Sequence, residues 1–85
     1  MKEFTHVIAD PAGIHARPAG LLVREAKQFT SQITLTKGDK TIDVRRIFAL
    51  MALGAKQGDS LLVRIEGPDE EAAAAAIQAF LKERL

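Results

Sequence analysis

Residues 13–20 read GIHARPAG, and the hydrophobic period of the chain changes across them. Upstream, Phe4 to Ala9 alternates, with Phe4, His6 and Ile8 on one side and Thr5, Val7 and Ala9 on the other, as in a strand with one covered face. Asp10 and Pro11 stop that pattern. Downstream, Ala19, Leu22, Val23, Ala26 and Phe29 recur at helical spacing, which predicts a helix over about residues 16–28. Pro18 falls in the first turn of this helix, where its missing N–H would be unpaired in any residue and its fixed φ suits the start. The stretch is therefore a strand-to-helix junction, with His15 at or beside the N-cap.

The rest of the chain reads outward from that junction. Gln32–Thr36 alternates again, and Gly38-Asp39 suits a two-residue hairpin turn into Lys40–Val44. Residues 46–53 predict a short helix, with Leu50 and Leu53 inward and Gly54 ending it. Leu61, Val63 and Ile65 alternate with Leu62, Arg64 and Glu66 in a fourth strand. Gly67-Pro68-Asp69 turns into a last helix with Asp69 as N-cap and a buried stripe of Ala73, Ile77, Phe80 and Leu81. The order is β-α-β-β-α-β-α. It predicts an α+β open-faced β-sandwich: a four-stranded antiparallel sheet with three helices on one face, and residues 1–85 as a single domain.

Composition removes several function classes. The chain has no cysteine, which excludes disulfides, thiolate catalysis and thiolate metal sites. Its two histidines, His6 and His15, lie far apart in sequence, and no metal-ligand cluster or cofactor motif accompanies them. The expectation is no metal and no cofactor, with His6 a structural residue of the first strand. Twelve basic residues against eleven acidic ones give a net charge of +1, too little for a global field toward nucleic acid or an anionic membrane. Trp and Tyr are absent, which further argues against a base-stacking surface. The N-terminal segment lacks the apolar core of a secretory signal, and nothing approaches the ~20 apolar residues of a membrane span. A cytoplasmic monomer that does not insert into membranes is expected.

The chemistry concentrates at the junction. The amides of the first helical turn have no intrahelical acceptor, and the aligned peptide dipoles place roughly half a positive charge there. An anion carried by His15 would meet the amides of Ala16 and Arg17. The Arg17 guanidinium adds a forked donor suited to phosphate oxygens. The His15 imidazole offers a ring nitrogen whose lone pair can attack. No other catalytic group is supplied, so the reading is not of an autonomous enzyme but of a covalent carrier whose partners bring the remaining chemistry.

GIHARPA, together with EAKQFTSQI at 25–33, the LG-x3-GD pattern at 53–59 and the element order, resembles the HPr family of the bacterial phosphoenolpyruvate:sugar phosphotransferase system. The resemblance covers the whole chain. It implies that His15 accepts a phosphoryl group on Nδ1 from the phosphohistidine of Enzyme I and passes it to the IIA domains of sugar permeases. It further implies that Arg17 steadies the phosphate, beside Pro18 and the amides of Ala16 and Arg17. A regulatory or specialised paralogue, signalling its phosphorylation state to a non-permease target, is the alternative within the family.

A partner surface is predicted beside the site. Helix 1 presents Arg17, Gly20, Leu21, Arg24 and Lys27 outward, and the second helix region adds Arg45, Arg46, Ile47, Phe48 and Met51. An apolar patch inside a basic rim suits transient docking. Position 46 departs from the family pattern. Many HPr proteins have a serine there that a dedicated kinase phosphorylates, whereas Arg46 offers no hydroxyl and forgoes a helix cap.

Overall fold

The computed structural model describes residues 1–85. Its elements are β1 (Lys2–Val7), α1 (Ala16–Ala26), β2 (Gln32–Lys37), β3 (Lys40–Asp43), α2 (Ile47–Ala52), β4 (Ser60–Glu66) and α3 (Glu70–Arg84). The strands form one antiparallel sheet in the order β1-β4-β2-β3. This is the α+β architecture that the hydrophobic periods predict.

Alternation decides which face is covered. Ile33, Leu35, Leu61, Val63 and Ile65 are all fully buried, and they lie on the same face of the sheet as Phe4 and His6. The helices supply Ala19, Leu22, Ala26, Leu50, Ala73, Ile77, Phe80 and Leu81 to the same core. Each of the large side chains contributes about 1.5–3 kcal/mol by leaving water. β4 is central, paired with β1 on one side and β2 on the other, which explains why it carries the densest apolar alternation. At the β2–β3 turn, Gly38 has φ +61 and Lys37 opposes Lys40, the geometry of a tight hairpin with glycine first. His6 sits half-buried on the inner face of β1, and its Nε2 is buried without a hydrogen-bond partner.

Three local outcomes differ from the sequence expectation. First, α1 ends at Ala26 because the amides of Gln28 and Phe29 bond back three residues, to Glu25 and Ala26, tightening the last turn. Second, Asp69 takes the N-cap position of α3 without capping it through its side chain. Its carboxylate instead accepts the amides of Thr30 and Ser31, both at 2.9 Å, and the Ser31 hydroxyl. These bonds hold the carboxyl at about 2, the Ser31 hydroxyl being the main cause. Third, Arg45 is turned inward. One of its terminal nitrogens donates toward the carbonyls of Phe29 (2.6 Å), Ser31 (2.8 Å) and Ala26 (3.1 Å). Arg45 is thus a clamp on the carbonyls at the end of α1, not the rim charge that its neighbour Arg46 suggests.

Candidate functional site

His15 is the N-cap of α1, in extended backbone conformation, and its exposed side chain makes no capping hydrogen bond. The backbone before it is tightly held. The Gly13 amide donates to the Asp10 carbonyl at 2.9 Å, and the Ala12 amide to the Asp10 carboxylate at 2.8 Å. Ile14 is buried, and its amide donates to the Ala55 carbonyl at 3.1 Å. Gly13 has φ +68 and lies so close to the α2–β4 loop that a Cβ there would collide with the same Ala55 oxygen. The turn is fixed on both sides, while the ring it carries is unencumbered.

The helix end beyond it is prepared for an anion. The first backbone bond runs from the Ala19 amide to the His15 carbonyl at 2.9 Å, which leaves the amides of Ala16 and Arg17 without intrahelical acceptors. Pro18 has no N–H, and the first turn contains no acidic residue. The Arg17 side chain is exposed and engaged in no hydrogen bond or ion pair within the chain.

His15, Arg17, Pro18 and Leu21 line a cleft of about 200 Å³ together with Asp10, Glu83 and Arg84. The last turn of α3 reaches this place because the Leu85 carbonyl accepts the amides of Ala9 and Asp10 and the Leu85 side chain is buried. Asp10, Glu83 and Arg84 escape the sequence reading. Nothing in a local pattern says that residue 84 returns to residue 15, although the cationic last turn of α3 could be read as unassigned charge.

The second group of predicted residues lies on α1 and on and just before α2. Gly20 of α1 lies against Ile47 of α2, whose Cδ1 is 3.9 Å from where a Cβ on Gly20 would stand. Ile47 is half-buried and packs on the core, so it is the root of this group and not its tip. Phe48 is 83% exposed and Met51 39%; Arg24, Lys27 and Arg46 are also exposed, and Leu21 is half-buried and lines the His15 cleft. Arg45 is the one predicted member turned inward, by the carbonyl contacts described above.

Comparison with known proteins agrees with this geometry. The family model described as the PTS HPr component phosphorylation site matches residues 2–83. The phosphocarrier protein HPr of Mycoplasma genitalium is 43% identical over 83 residues, covering 96% of this chain and 94% of that protein. The crystal structure of HPr-C-His from Thermoanaerobacter tengcongensis is similar with a TM-score of 0.92 and 40% identity, over 98% of this chain and 93% of that one. The Bacillus subtilis catabolite repression containing protein Crh, solved as a swapped-domain dimer, is similar with a TM-score of 0.79 and 34% identity, over 89% and 87% of the two chains. A family match across nearly every residue, on an antiparallel sheet with the expected element order, means that the chain belongs to the HPr family of phosphotransferase-system phosphocarriers.

Proposed function

We propose that the chain takes a phosphoryl group from phosphorylated Enzyme I onto His15 and delivers it to IIA domains of sugar permeases. The observation that carries this reading is an exposed N-cap imidazole without internal partners, set beside two free amides and an unpaired guanidinium. In the accepting step, the lone pair of a His15 ring nitrogen forms the new N–P bond. The donor's P–N bond breaks, and its electron pair returns to the donor imidazole. The charge of the transferred group is met by the amides of Ala16 and Arg17 and by the Arg17 guanidinium. Release to an acceptor histidine is the same exchange in reverse.

Docking uses Gly20, Leu21, Arg24, Lys27, Arg46, Phe48 and Met51, with Ile47 as their support. An exposed phenylalanine and methionine within a rim of cations fit a partner surface that is apolar at its centre and acidic at its edge. No helix of the chain is long and apolar enough to cross a membrane. The chain works in the cytoplasm as a monomeric unit, and sedimentation would detect the dimer that Crh forms. The likeness to Crh is also what supports a regulatory role as the second reading. The deciding experiment incubates the protein with phosphoenolpyruvate and Enzyme I. Acid-labile, base-stable phosphate should appear on the wild-type chain and be absent from a folded His15→Ala variant. Phosphate at wild-type level on that variant would overturn the assignment.

A further inference from the structure

We propose that Arg84, on the last turn of α3, is a second guanidinium for the phosphoryl group carried by His15. The inference rests on the phosphocarrier reading of His15 and extends it to a residue almost seventy positions away in sequence. Arg84 lines the same cleft as His15 and Arg17. Its guanidinium lies 5.9 Å from the centroid of the Phe80 ring, one helical turn back, as expected for a side chain directed toward the N-terminus of its helix. It takes part in no ion pair, whereas Arg64 is paired with Glu3 and Arg45 is spent on carbonyls. Its charge is therefore available.

The balance of charge in the cleft gives Arg84 its role. The ionisable groups facing it are Asp10, His15, Arg17, Glu83 and Arg84. One oxygen of Asp10 is occupied by the Ala12 amide, but its negative charge remains. With Arg17 as the only permanent cation, the two carboxylates would outweigh it, an unfavourable setting for a phosphoryl dianion. Arg84 restores balance before the phosphoryl group arrives. A fork of donors also matches phosphate oxygens better than a point charge would. Unphosphorylated, the guanidinium rests over Phe80, a weak contact that holds it near without committing it.

The test is the equilibrium between phosphorylated Enzyme I and this protein, measured from both directions with stoichiometric components. That equilibrium depends only on how much each free protein stabilises its own phosphoryl group. Contacts made solely within the complex change forward and reverse rates together and leave it unmoved. Arg84→Gln should shift the equilibrium toward the donor by about two- to fivefold at low salt, Arg84→Lys should recover most of the loss, and the shift should shrink near 1 M salt. Should Arg84→Gln prove unstable by circular dichroism, Arg84→Met keeps the aliphatic stack on Phe80 and reads the same quantity. An unchanged equilibrium with slower rates in both directions would overturn the proposal and make Arg84 a docking residue. A wild-type chain that takes up no acid-labile phosphate would overturn the underlying reading of His15 instead.

Discussion

Replacing Arg45 with methionine separates two roles that a surface arginine can have. Its terminal nitrogen faces three carbonyls but has only two hydrogens, so the shorter contacts, to Phe29 and Ser31, count as bonds and the 3.1 Å contact to Ala26 as a shared one. Hydrogen bonds with a charged partner contribute about 1.5–3 kcal/mol each when well shielded, and these are only half-buried. The Ala26 carbonyl also keeps the Phe29 amide as a partner. A total loss of about 2 kcal/mol is therefore expected, with the cation at the C-terminal end of α1 included in it. In a domain of this size that lowers Tm by roughly 8–16 °C. Thermal unfolding followed by circular dichroism checks the stability, and Enzyme I-dependent phosphorylation below the new transition checks the function. Methionine fills much of the same volume, so packing loss is kept small. A Tm within a degree or two of wild type, coupled with weaker and salt-sensitive partner binding, would refute the clamp and return Arg45 to the docking rim.

Four further outcomes are expected. Asp69 has a carboxyl value of about 2 in the folded chain, below the 3.8 of a free side chain. Its stabilisation is therefore full above about pH 4 and disappears as pH falls through about 2. Urea midpoints measured down that range should show a smaller acid loss in Asp69→Asn, and an identical slope in both proteins would contradict the assignment. Gly13→Ala should destabilise by about 2–4 kcal/mol, because the new Cβ adopts a left-handed φ and meets the Ala55 oxygen that also anchors Ile14. Transfer by the folded fraction should also slow, and unchanged rates would show that His15 tolerates a displaced turn. Arg46→Ser should raise stability by about 0.5–1 kcal/mol, since the present N-cap of α2 makes no side-chain cap, and it should create a substrate for HPr kinase with ATP. No gain in urea midpoint would mean the serine does not cap. Glu83→Gln should move the Enzyme I equilibrium opposite to Arg84→Gln, toward the phosphorylated chain, and a shift in the same direction would refute the charge-balance argument.

What could be read from sequence was whatever depends on neighbours in the chain. Alternation at Leu61, Val63 and Ile65 and the three- and four-residue spacing from Ala19 to Phe29 encode which face meets the core, so strands, helices and covered face follow directly. The GIHARPAG junction was legible for the same reason: an N-cap, an in-turn proline and an adjacent arginine all act within one helical turn. Side chains that reach across the fold were not. Asp69 has the right identity for an N-cap, and the sequence cannot show that Thr30 and Ser31 lie nearer to its carboxylate than its own helix does. Arg45 and Arg46 are alike in sequence, yet one faces three carbonyls and the other faces water. Arg84 looks like a dipole-matched helix end until the Leu85 carbonyl is seen bonded to Ala9 and Asp10.

A carrier must release what it accepts, and that requirement explains why the site is built with a rigid backbone and a free ring. If the imidazole were held by an internal hydrogen bond, that bond would break on phosphorylation and re-form on release, biasing both steps by its full strength. The chain instead spends its constraints on Gly13, Ile14 and Pro18, so orientation is set while the ring has nothing to lose. Each group that meets the phosphoryl oxygens favours loading and penalises unloading by the same free energy. Burying them would make the phosphorylated state a sink. At an exposed helix end an ion pair is worth no more than about 1 kcal/mol, and Asp10 and Glu83 share the cleft with Arg17 and Arg84. On the proposed reading of His15, the phosphoryl group is held firmly enough to survive transit and weakly enough that an acceptor can take it.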